Sequence, residues 1–249
     1  MKQSLRRPSR FMLSYLVAVA TLASAAFAAN TAIEPVSHAE KADWMARYQA
    51  MTARAKHGHV DLLYVGDSIV QLYETQGKDT WDRYYAPRHA LNLGISGDRT
   101  EHVLWRLDHG NLDGISPTLA IVMIGQNNGG HNTAEEIGTK VTAVVQKIHA
   151  KLPTTKILLL AIFPRREKPT EERDVLAKAS RIAAQLADNT TIFYLDITKI
   201  FLRPDGSIPA ELMPDYEHPS AKGYRMWAEA IEPTVAALMG DKAIVPTAP

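Results

Sequence analysis

Hydrophobic residues follow two alternating patterns along the chain. Five short, almost continuous apolar runs are typical of strands buried on both faces of a sheet. They cover residues 60–65, 90–94, 119–124, 156–162 and 191–195. Between them, three- and four-residue spacing predicts helices over residues 37–56, 81–85, 98–109, 133–151, 170–187 and 219–239. Ser37 with Glu40, and Thr133 with Glu136, have the spacing of capping boxes, so two of these helices should begin there.

The alternation of strands and helices predicts an α/β fold with a parallel sheet covered on both faces. Crossovers between parallel strands are right-handed, and ligands of such sheets bind at the carboxyl ends of the strands. The residues that directly follow each strand are therefore the candidates for chemistry.

The first 28 residues carry a targeting pattern. Residues 1–10 hold four basic residues and no acid, residues 11–28 are apolar or small, and Ala26-Phe27-Ala28 is an A-x-A cleavage pattern. This predicts a secretory signal peptide that is cut after Ala28, which would leave no stable membrane anchor. The rival interpretation is an uncleaved anchor, since the apolar run approaches membrane-spanning length. The export route, general or twin-arginine, stays open.

Cleavage would change the charge of the protein. The chain has 28 Lys and Arg, 27 Asp and Glu and a net charge of +1, so losing four basic residues leaves 24 basic and 27 acidic residues, a net of −3. No basic excess then favours nucleic acid as a partner. The chain has no cysteine, which excludes disulfides and cysteine nucleophiles. We expect a signal peptide (1–28), an N-terminal extension and helix (29–58), one domain (59–240) and a tail (241–249), in a periplasmic or secreted protein.

Residues at the ends of the predicted strands could perform acyl transfer. Ser68 follows the first strand in Gly66-Asp67-Ser68, and Asp215 and His218 lie three residues apart before the last helix. Ser68 would be the nucleophile and His218 the general base, oriented by Asp215. The N–H groups of Ser68 and Gly94 and the side-chain amide of Asn127 could form an oxyanion hole.

Each of these residues also has a structural explanation when it is taken alone. A Gly-Asp-Ser sequence is more often a turn, Gly94 can simply end a strand, and Asn127 is a good loop former. Asp215 could cap the last helix, and His218 could be a surface histidine. Their occurrence together, in four separate strand-end or closing-loop positions and in the expected order, favours the serine hydrolase.

The same residues resemble a known group of enzymes. Gly66-Asp67-Ser68, Asn92-Leu93-Gly94, Gly125-Gln126-Asn127 and Asp215-x-x-His218 are similar to the four sequence blocks of the SGNH hydrolase superfamily. Residues 92–107, 133–136 and 164–169 resemble the catalytic (alpha) subunits of platelet-activating-factor acetylhydrolase, and residues 218–224 resemble exported bacterial members. The resemblance covers roughly residues 60–240, which is nearly the whole predicted domain.

The resemblance implies a three-layer, flavodoxin-like fold with a five-stranded parallel sheet and a serine esterase that needs no cofactor or metal. It assigns catalysis to Ser68, Asp215 and His218, and the oxyanion hole to Ser68, Gly94 and Asn127. The related catalytic subunits form dimers, so a homodimer is a further expectation. Two residues depart from the pattern. Asn128 stands where much of the superfamily has Asp, and Glu217 replaces an apolar residue and is expected to face water.

Further residues near the strand ends are candidates for contact with the substrate: Ile69, Ile95, Arg99, His131, Arg165 and Tyr216. Arg99 is explained equally well as the ion-pair partner of Asp98, and Ser96 fails the Gly-x-Ser-x-Gly spacing of a nucleophile elbow. His57-Gly58-His59 offers two imidazoles, but no carboxylate or third histidine is positioned in sequence to complete a site. Surface histidines are the default, and no metal site is predicted.

The sequence therefore predicts an exported serine esterase that removes short acyl groups, acetyl above all, from a small molecule or glycan such as an O-acetylated carbohydrate. A lipid ester hydrolase, similar to a lysophospholipase or a platelet-activating-factor acetylhydrolase, is the alternative. A third hypothesis is a carbohydrate-binding module on an inactive hydrolase fold, which the complete catalytic set disfavours.

Overall fold

Residues 34–245 are described by the structure, which is a computed structural model. The predicted signal peptide at residues 1–28 lies outside the described residues, as does the end of the predicted tail. Between residues 34 and 245, no helix combines the length and the apolar character needed to cross a membrane.

Five strands form one parallel sheet, and seven α-helices flank it in the described part of the chain. The strands are β1 (Leu62–Gly66), β2 (Ala90–Gly94), β3 (Leu119–Met123), β4 (Lys156–Leu160) and β5 (Ile192–Leu195). The helices are α1 (Ala42–Lys56), α2 (Ser68–Gln71), α3 (Lys78–Tyr84), α4 (Thr100–Asp108), α5 (Ala134–Lys151), α6 (Glu171–Ala183) and α7 (Ala221–Met239). The sheet order is β2-β1-β3-β4-β5, which is the flavodoxin-like order and confirms the predicted fold class.

Alternate residues of each strand point into two separate hydrophobic cores, because side chains alternate along a strand. Leu63 and Val65 of β1 face one core, which α1, α4, α5 and α6 cover. Leu62 and Tyr64 face the other core, where α7 contributes Trp227. The sheet is therefore the middle of three layers. Every residue of β3 is fully buried, which explains its unbroken apolar sequence.

Helix α1 differs most from its prediction. It begins at Ala42 rather than near Ser37, and the side chain of its N-cap residue, Lys41, makes no capping hydrogen bond. His38 instead hydrogen-bonds Glu40 at 2.8 Å, and the His38 ring packs on His102 of α4 with centroids 3.6 Å apart. The capping box does not form because residues 38–41 form a turn, in which the Lys41 N–H donates to the His38 carbonyl at 2.8 Å. Although α1 was predicted outside the domain, it packs into the same core.

The sheet order places a switch point between β1 and β3. The chain leaves β1 toward β2 on one side, whereas β3, β4 and β5 follow on the other. A crevice opens at the carboxyl ends of the two central strands in such sheets. Gly66, the last residue of β1, is level with Gly94 of β2 and Met123 of β3. The turns after these three strands therefore share one edge.

Candidate active site

The turn from β1 into α2 presents Ser68. Strand β1 ends at Gly66, and α2 begins at Ser68 with Asp67 as its N-cap residue. The Ile69 N–H donates a hydrogen bond of 3.0 Å to Asp67 Oδ1. The Ser68 N–H has no hydrogen-bond acceptor among the described residues. The turn therefore offers a hydroxyl and a free backbone donor side by side.

Ser68, His218 and Asp215 form a continuous hydrogen-bonded relay. His218 Nδ1 lies 2.7 Å from Asp215 Oδ2, and His218 Nε2 lies 2.8 Å from Ser68 Oγ. A carboxylate on Nδ1 requires the proton there, which leaves Nε2 free to accept the Ser68 O–H. The geometry gives the imidazole the tautomer of a general base.

The backbone of the closing loop fixes the relay as well. The N–H groups of His218 and Glu217 donate to Asp215 Oδ1 at 2.8 and 3.0 Å. Burial would raise the pKa of Asp215, but hydrogen bonds from His218 and the backbone outweigh it, and the pKa lies below its ordinary value. Asp215 therefore stays ionised and does not cap α7, whose cap is Ser220.

The other two predicted donors lie at the same edge. Asn127 follows β3, and its side-chain amide donates one hydrogen bond to the Asp98 carbonyl at 2.9 Å, which leaves its second N–H available. The Gly94 N–H donates to Asn92 Oδ1 at 2.8 Å. Of the predicted oxyanion donors, the Ser68 N–H is therefore free within the described part of the chain and the Asn127 amide has one free N–H, whereas the Gly94 N–H already has an acceptor.

Glycine is required at position 94 because the end of β2 touches the turn that carries Ser68. A Cβ at this position would lie 2.3 Å from the Gln71 nitrogen and 2.7 Å from the Asp67 carbonyl oxygen, both backbone atoms. Real Cβ atoms essentially never approach other atoms below 3.0 Å. Any side chain here would push β2 and α2 apart, and it would displace the turn that carries Ser68.

Asp67 is an unusual carboxyl group beside Ser68. It is fully buried, and its Oδ2 has no hydrogen-bond partner among the described residues. Burial raises the pKa of Asp67 to about 7, although the hydrogen bond from Ile69 opposes the change. A neutral carboxyl group is favoured at this position because a buried charge without a partner is costly.

Two buried side chains on the α1 and α4 side of the sheet connect the turns. Arg106 of α4 donates from Nε to Asp98 Oδ2 at 2.7 Å and from a terminal nitrogen to the Gly66 carbonyl at 2.9 Å. Asp98 Oδ1 also accepts from Trp44 of α1 at 2.6 Å. The expected Asp98–Arg99 pair is not formed, because Asp98 is buried toward Arg106 whereas Arg99 turns outward to Glu101 at 2.9 Å. This network joins the ends of β1 and β2 beneath the site.

Glu217 does not face water, contrary to the expectation for a turn residue. It accepts a hydrogen bond of 2.9 Å from Arg165, which also pairs with Glu172 of α6 at 3.2 Å. The Arg165 side chain is only 14% exposed, so it links α6 to the loop that carries His218. Arg165 therefore positions the closing loop.

The remaining pocket candidates have different surroundings. Ile69 is fully buried in the core beneath α7, because the first turn of α2 rotates it inward, so it does not line an open pocket. Ile95 is 3% exposed and lies at the edge of a groove beside α1. Tyr216 is half-buried, with a left-handed φ of +60°, and its carbonyl accepts the Arg166 N–H. His131 is exposed, and its imidazole has no hydrogen bond within the described residues.

Sequence reasoning did not identify three residues that shape the site. Asn92 holds the Gly94 N–H, Arg106 holds the Gly66 carbonyl, and Arg47 of α1 donates to the Gly94 carbonyl at 2.6 Å. The two-residue spacing of Asn92 and Gly94 is a local signal for a side-chain turn and could have been recognised. The arginines lie on helices far away in sequence, so no local pattern indicates their role.

Comparisons with known proteins identify a family and several relatives. Residues 64–226 match the GDSL-like lipase/acylhydrolase family. The chain is 37% identical over 199 residues to the platelet-activating factor acetylhydrolase IB subunit alpha2 of Rattus norvegicus, covering 80% of this chain and 86% of the relative. It is 34% identical over 199 residues to the alpha1 subunit of Homo sapiens, covering 80% and 85%.

Solved structures show the same fold at lower sequence identity. An acetyl xylan esterase, AlAXEase, superposes with a TM-score of 0.59 at 22% identity, covering 70% of this chain and 98% of that chain. Axe2, an acetylxylan esterase from Geobacillus stearothermophilus, superposes with a TM-score of 0.57 at 19% identity, covering 77% and 100%. These similarities concern the fold.

Proposed function

Because the chain belongs to the GDSL-like lipase/acylhydrolase family and is an ester hydrolase, we propose that it is a serine esterase that removes short acyl groups, acetyl above all, from O-acetylated carbohydrates. The observation that carries the proposal is the continuous relay from Asp215 through His218 to Ser68. Such a relay would have no use in a carbohydrate-binding module, and it therefore favours an enzyme over that hypothesis.

The reaction follows from the positions of the relay atoms. Ser68 Oγ attacks the ester carbonyl carbon while His218 Nε2 takes its proton, and Asp215 stabilises the imidazolium. The Ser68 N–H and the Asn127 amide donate hydrogen bonds to the negatively charged oxygen of the former carbonyl. The Gly94 N–H can donate a third if its hydrogen bond to Asn92 Oδ1 breaks. The intermediate then collapses to an acyl-enzyme, and the leaving alcohol takes the proton from His218. A water molecule, deprotonated by His218, then attacks the acyl-enzyme in the same way, which releases the acid and restores Ser68.

The surface around His218 supports a hydrophilic leaving alcohol. The concavity that contains His218 has a volume of about 250 Å³ and is lined by Gln76, Pro214, Asp215, Pro219 and Ser220. Ser68 does not line this concavity, so it is a candidate site for the leaving alcohol next to the base and not for the acyl group, and its partly polar lining favours a hydrophilic alcohol. An apolar cavity of about 180 Å³ lies elsewhere, between β4, α6 and Leu202, and none of the relay residues lines it.

A lipid ester is the second candidate substrate. It is favoured by the names of the relatives, which are platelet-activating factor acetylhydrolase subunits at 34–37% identity. The chemistry at Ser68 would be the same for both substrates. They differ in the alcohol that leaves, so the two proposals are separated by substrate preference.

Two measurements test the proposal. Ser68→Ala should lower the rate of p-nitrophenyl acetate hydrolysis by about 10⁵–10⁶-fold. Ser96→Ala is the matched control, since Ser96 is an exposed serine after the neighbouring strand. Equal rates for wild type and Ser68→Ala would exclude Ser68 as the nucleophile. Rates on acetyl, butyryl and octanoyl esters, and on acetylated xylooligosaccharides against an acetylated phospholipid, then decide the substrate. A preference for octanoyl esters or the phospholipid would reject the carbohydrate proposal.

We also propose that the protein is exported. The proposal is supported by the basic, apolar and A-x-A pattern of residues 1–28 alone. N-terminal sequencing of the protein from the native host should begin at Ala29. A protein that still begins at Met1 would reject cleavage.

A further inference from the structure

Three metal-ligating side chains meet at the amino edge of the sheet, away from Ser68. They are His59, Asp61 and His89, and one ligand atom from each lies within 4.8 Å of the other two. His89 Nδ1 is 2.7 Å from Asp61 Oδ2, and the two imidazole rings have centroids 3.7 Å apart. We propose that these residues bind a divalent transition metal ion of the zinc type.

The fold supplies what the sequence motif lacked. The sequence alone does not show which carboxylate or third histidine would complete a site with His57-Gly58-His59. Asp61 and His89 directly precede Leu62 of β1 and Ala90 of β2, which are register partners in neighbouring strands. Asp61 and His89 are therefore held side by side at the start of two paired strands. His59 lies two residues before Asp61 and reaches the same place.

The donor set suits zinc better than calcium or magnesium. Two imidazoles and one carboxylate are a recognised three-ligand set for Zn²⁺, which binds such atoms at about 2.0–2.2 Å in tetrahedral geometry. Ligand atoms around such an ion are roughly 3.4 Å apart. His89 Nδ1 and Asp61 Oδ2 are 2.7 Å apart, and all three ligand atoms lie within 4.8 Å of one another, so modest side-chain rotations suffice to form the site. Water would complete the fourth position.

The backbone at both histidines is held in an uncommon conformation. His59 and His89 have φ values of +53° and +47°, in the left-handed region that non-glycine residues rarely occupy. Such conformations persist where the surroundings fix them, and they cluster at functional sites. Arg54 donates to the His59 carbonyl, and the His89 N–H donates to the carbonyl of Ala86, the first residue of a short 3₁₀ helix. The two ligand-bearing backbones are thus held in place by other contacts.

The site would strengthen the fold and would not take part in ester hydrolysis. β2 is an edge strand, paired only with β1 in the described sheet. A metal between Asp61 and His89 would join their amino ends. The five residues of β1 place this end about 16 Å from the nucleophile turn. An ion here therefore cannot contact the substrate at Ser68.

Calorimetric titration with ZnCl₂ tests the proposal. The full chain without a histidine tag is first stripped with EDTA. Wild type should bind one Zn²⁺ per chain at saturation. His89→Ala and Asp61→Asn should each weaken binding at least ~10-fold. His57→Ala is the matched control, because His57 belongs to the same sequence motif but not to the cluster, and it should bind zinc like wild type.

Thermal unfolding gives a second measurement that does not depend on activity. Zinc should raise the Tm of wild type and of His57→Ala, and it should leave the Tm of His89→Ala unchanged. Circular dichroism verifies that each variant is folded. Three results would overturn the site. They are heats of zinc binding that do not saturate in wild type, an equal affinity for zinc in wild type and His89→Ala, and an equal loss of zinc affinity in His57→Ala and His89→Ala. If zinc changes the hydrolysis rate through this cluster, the structural role assigned to the ion is wrong.

Discussion

Replacing Asp67 by Asn should make the stability of the protein less dependent on pH. Asp67 is fully buried, its Oδ2 has no partner among the described residues, and its pKa is about 7 against an ordinary value of 3.8. Asn is close to Asp in shape, and it keeps an oxygen that accepts the Ile69 N–H. The variant removes only the ability to ionise.

The sign follows from the protons that each state binds. Between about pH 4 and pH 7, Asp67 is ionised in the unfolded chain and protonated in the folded one, so the free energy of unfolding falls as the pH rises. Below this range both states are protonated, and above it both are ionised. The rise in pKa from 3.8 to about 7 corresponds to at most about 4 kcal/mol, since one pKa unit equals 1.36 kcal/mol.

Urea denaturation of wild type and Asp67→Asn at pH values from 4 to 8.5 measures this difference. The variant should gain stability relative to wild type as the pH rises, and the gain should level off above pH 7. Asp43→Asn is the control, because Asp43 is an exposed carboxylate on α1, and its stability curve should run parallel to that of wild type. Parallel curves for Asp67→Asn and wild type would show that Asp67 ionises normally, which would refute the argument from burial.

Three further substitutions test the contacts around the site. Asn127→Ala should lower kcat on p-nitrophenyl acetate about 10²–10³-fold with little change in KM, because an oxyanion donor acts mainly in the transition state. Arg106→Met leaves Asp98 buried without its 2.7 Å partner, and it should cost about 3–5 kcal/mol of unfolding free energy in urea titrations. Glu217→Gln weakens the 2.9 Å contact with Arg165, and it should lower kcat in steady-state assays while the Tm changes little. An unchanged kcat would show that the closing loop needs no such anchor.

The sheet could be predicted from the sequence because its evidence is local. β3 and β4 are buried on both faces, so their apolar residues run without interruption. The five parallel strands are confirmed, with boundaries that differ from the prediction by at most two residues. The start of α1 could not be predicted in this way. It depends on contacts of His38 with α4, which lies more than sixty residues away in sequence.

The residues of the relay were identifiable for the same reason. Asp215 and His218 are three residues apart, and Ser68 follows a strand directly, so short-range spacing is sufficient to suggest them. The partners of Arg165, Arg106 and Asp98 depend instead on which helix faces pack against the sheet. Periodicity does not specify those faces in enough detail. The expected Asp98–Arg99 ion pair is wrong because Asp98 is buried toward Arg106, and adjacency in sequence does not reveal that burial.

The two networks around the site act on different parts of the chemistry. Arg47 and Arg106 bind the carbonyl groups of Gly94 and Gly66, so they fix the peptide units at the ends of β2 and β1. Each of these peptide units is adjacent in the chain to the one that carries the Gly94 or the Ser68 N–H, and such donors stabilise charge best when they are held in place beforehand. Arg165 acts on the loop that carries His218, on the other side of Ser68. Disturbing the first network should therefore weaken oxyanion stabilisation, whereas disturbing the second should weaken proton transfer to the base.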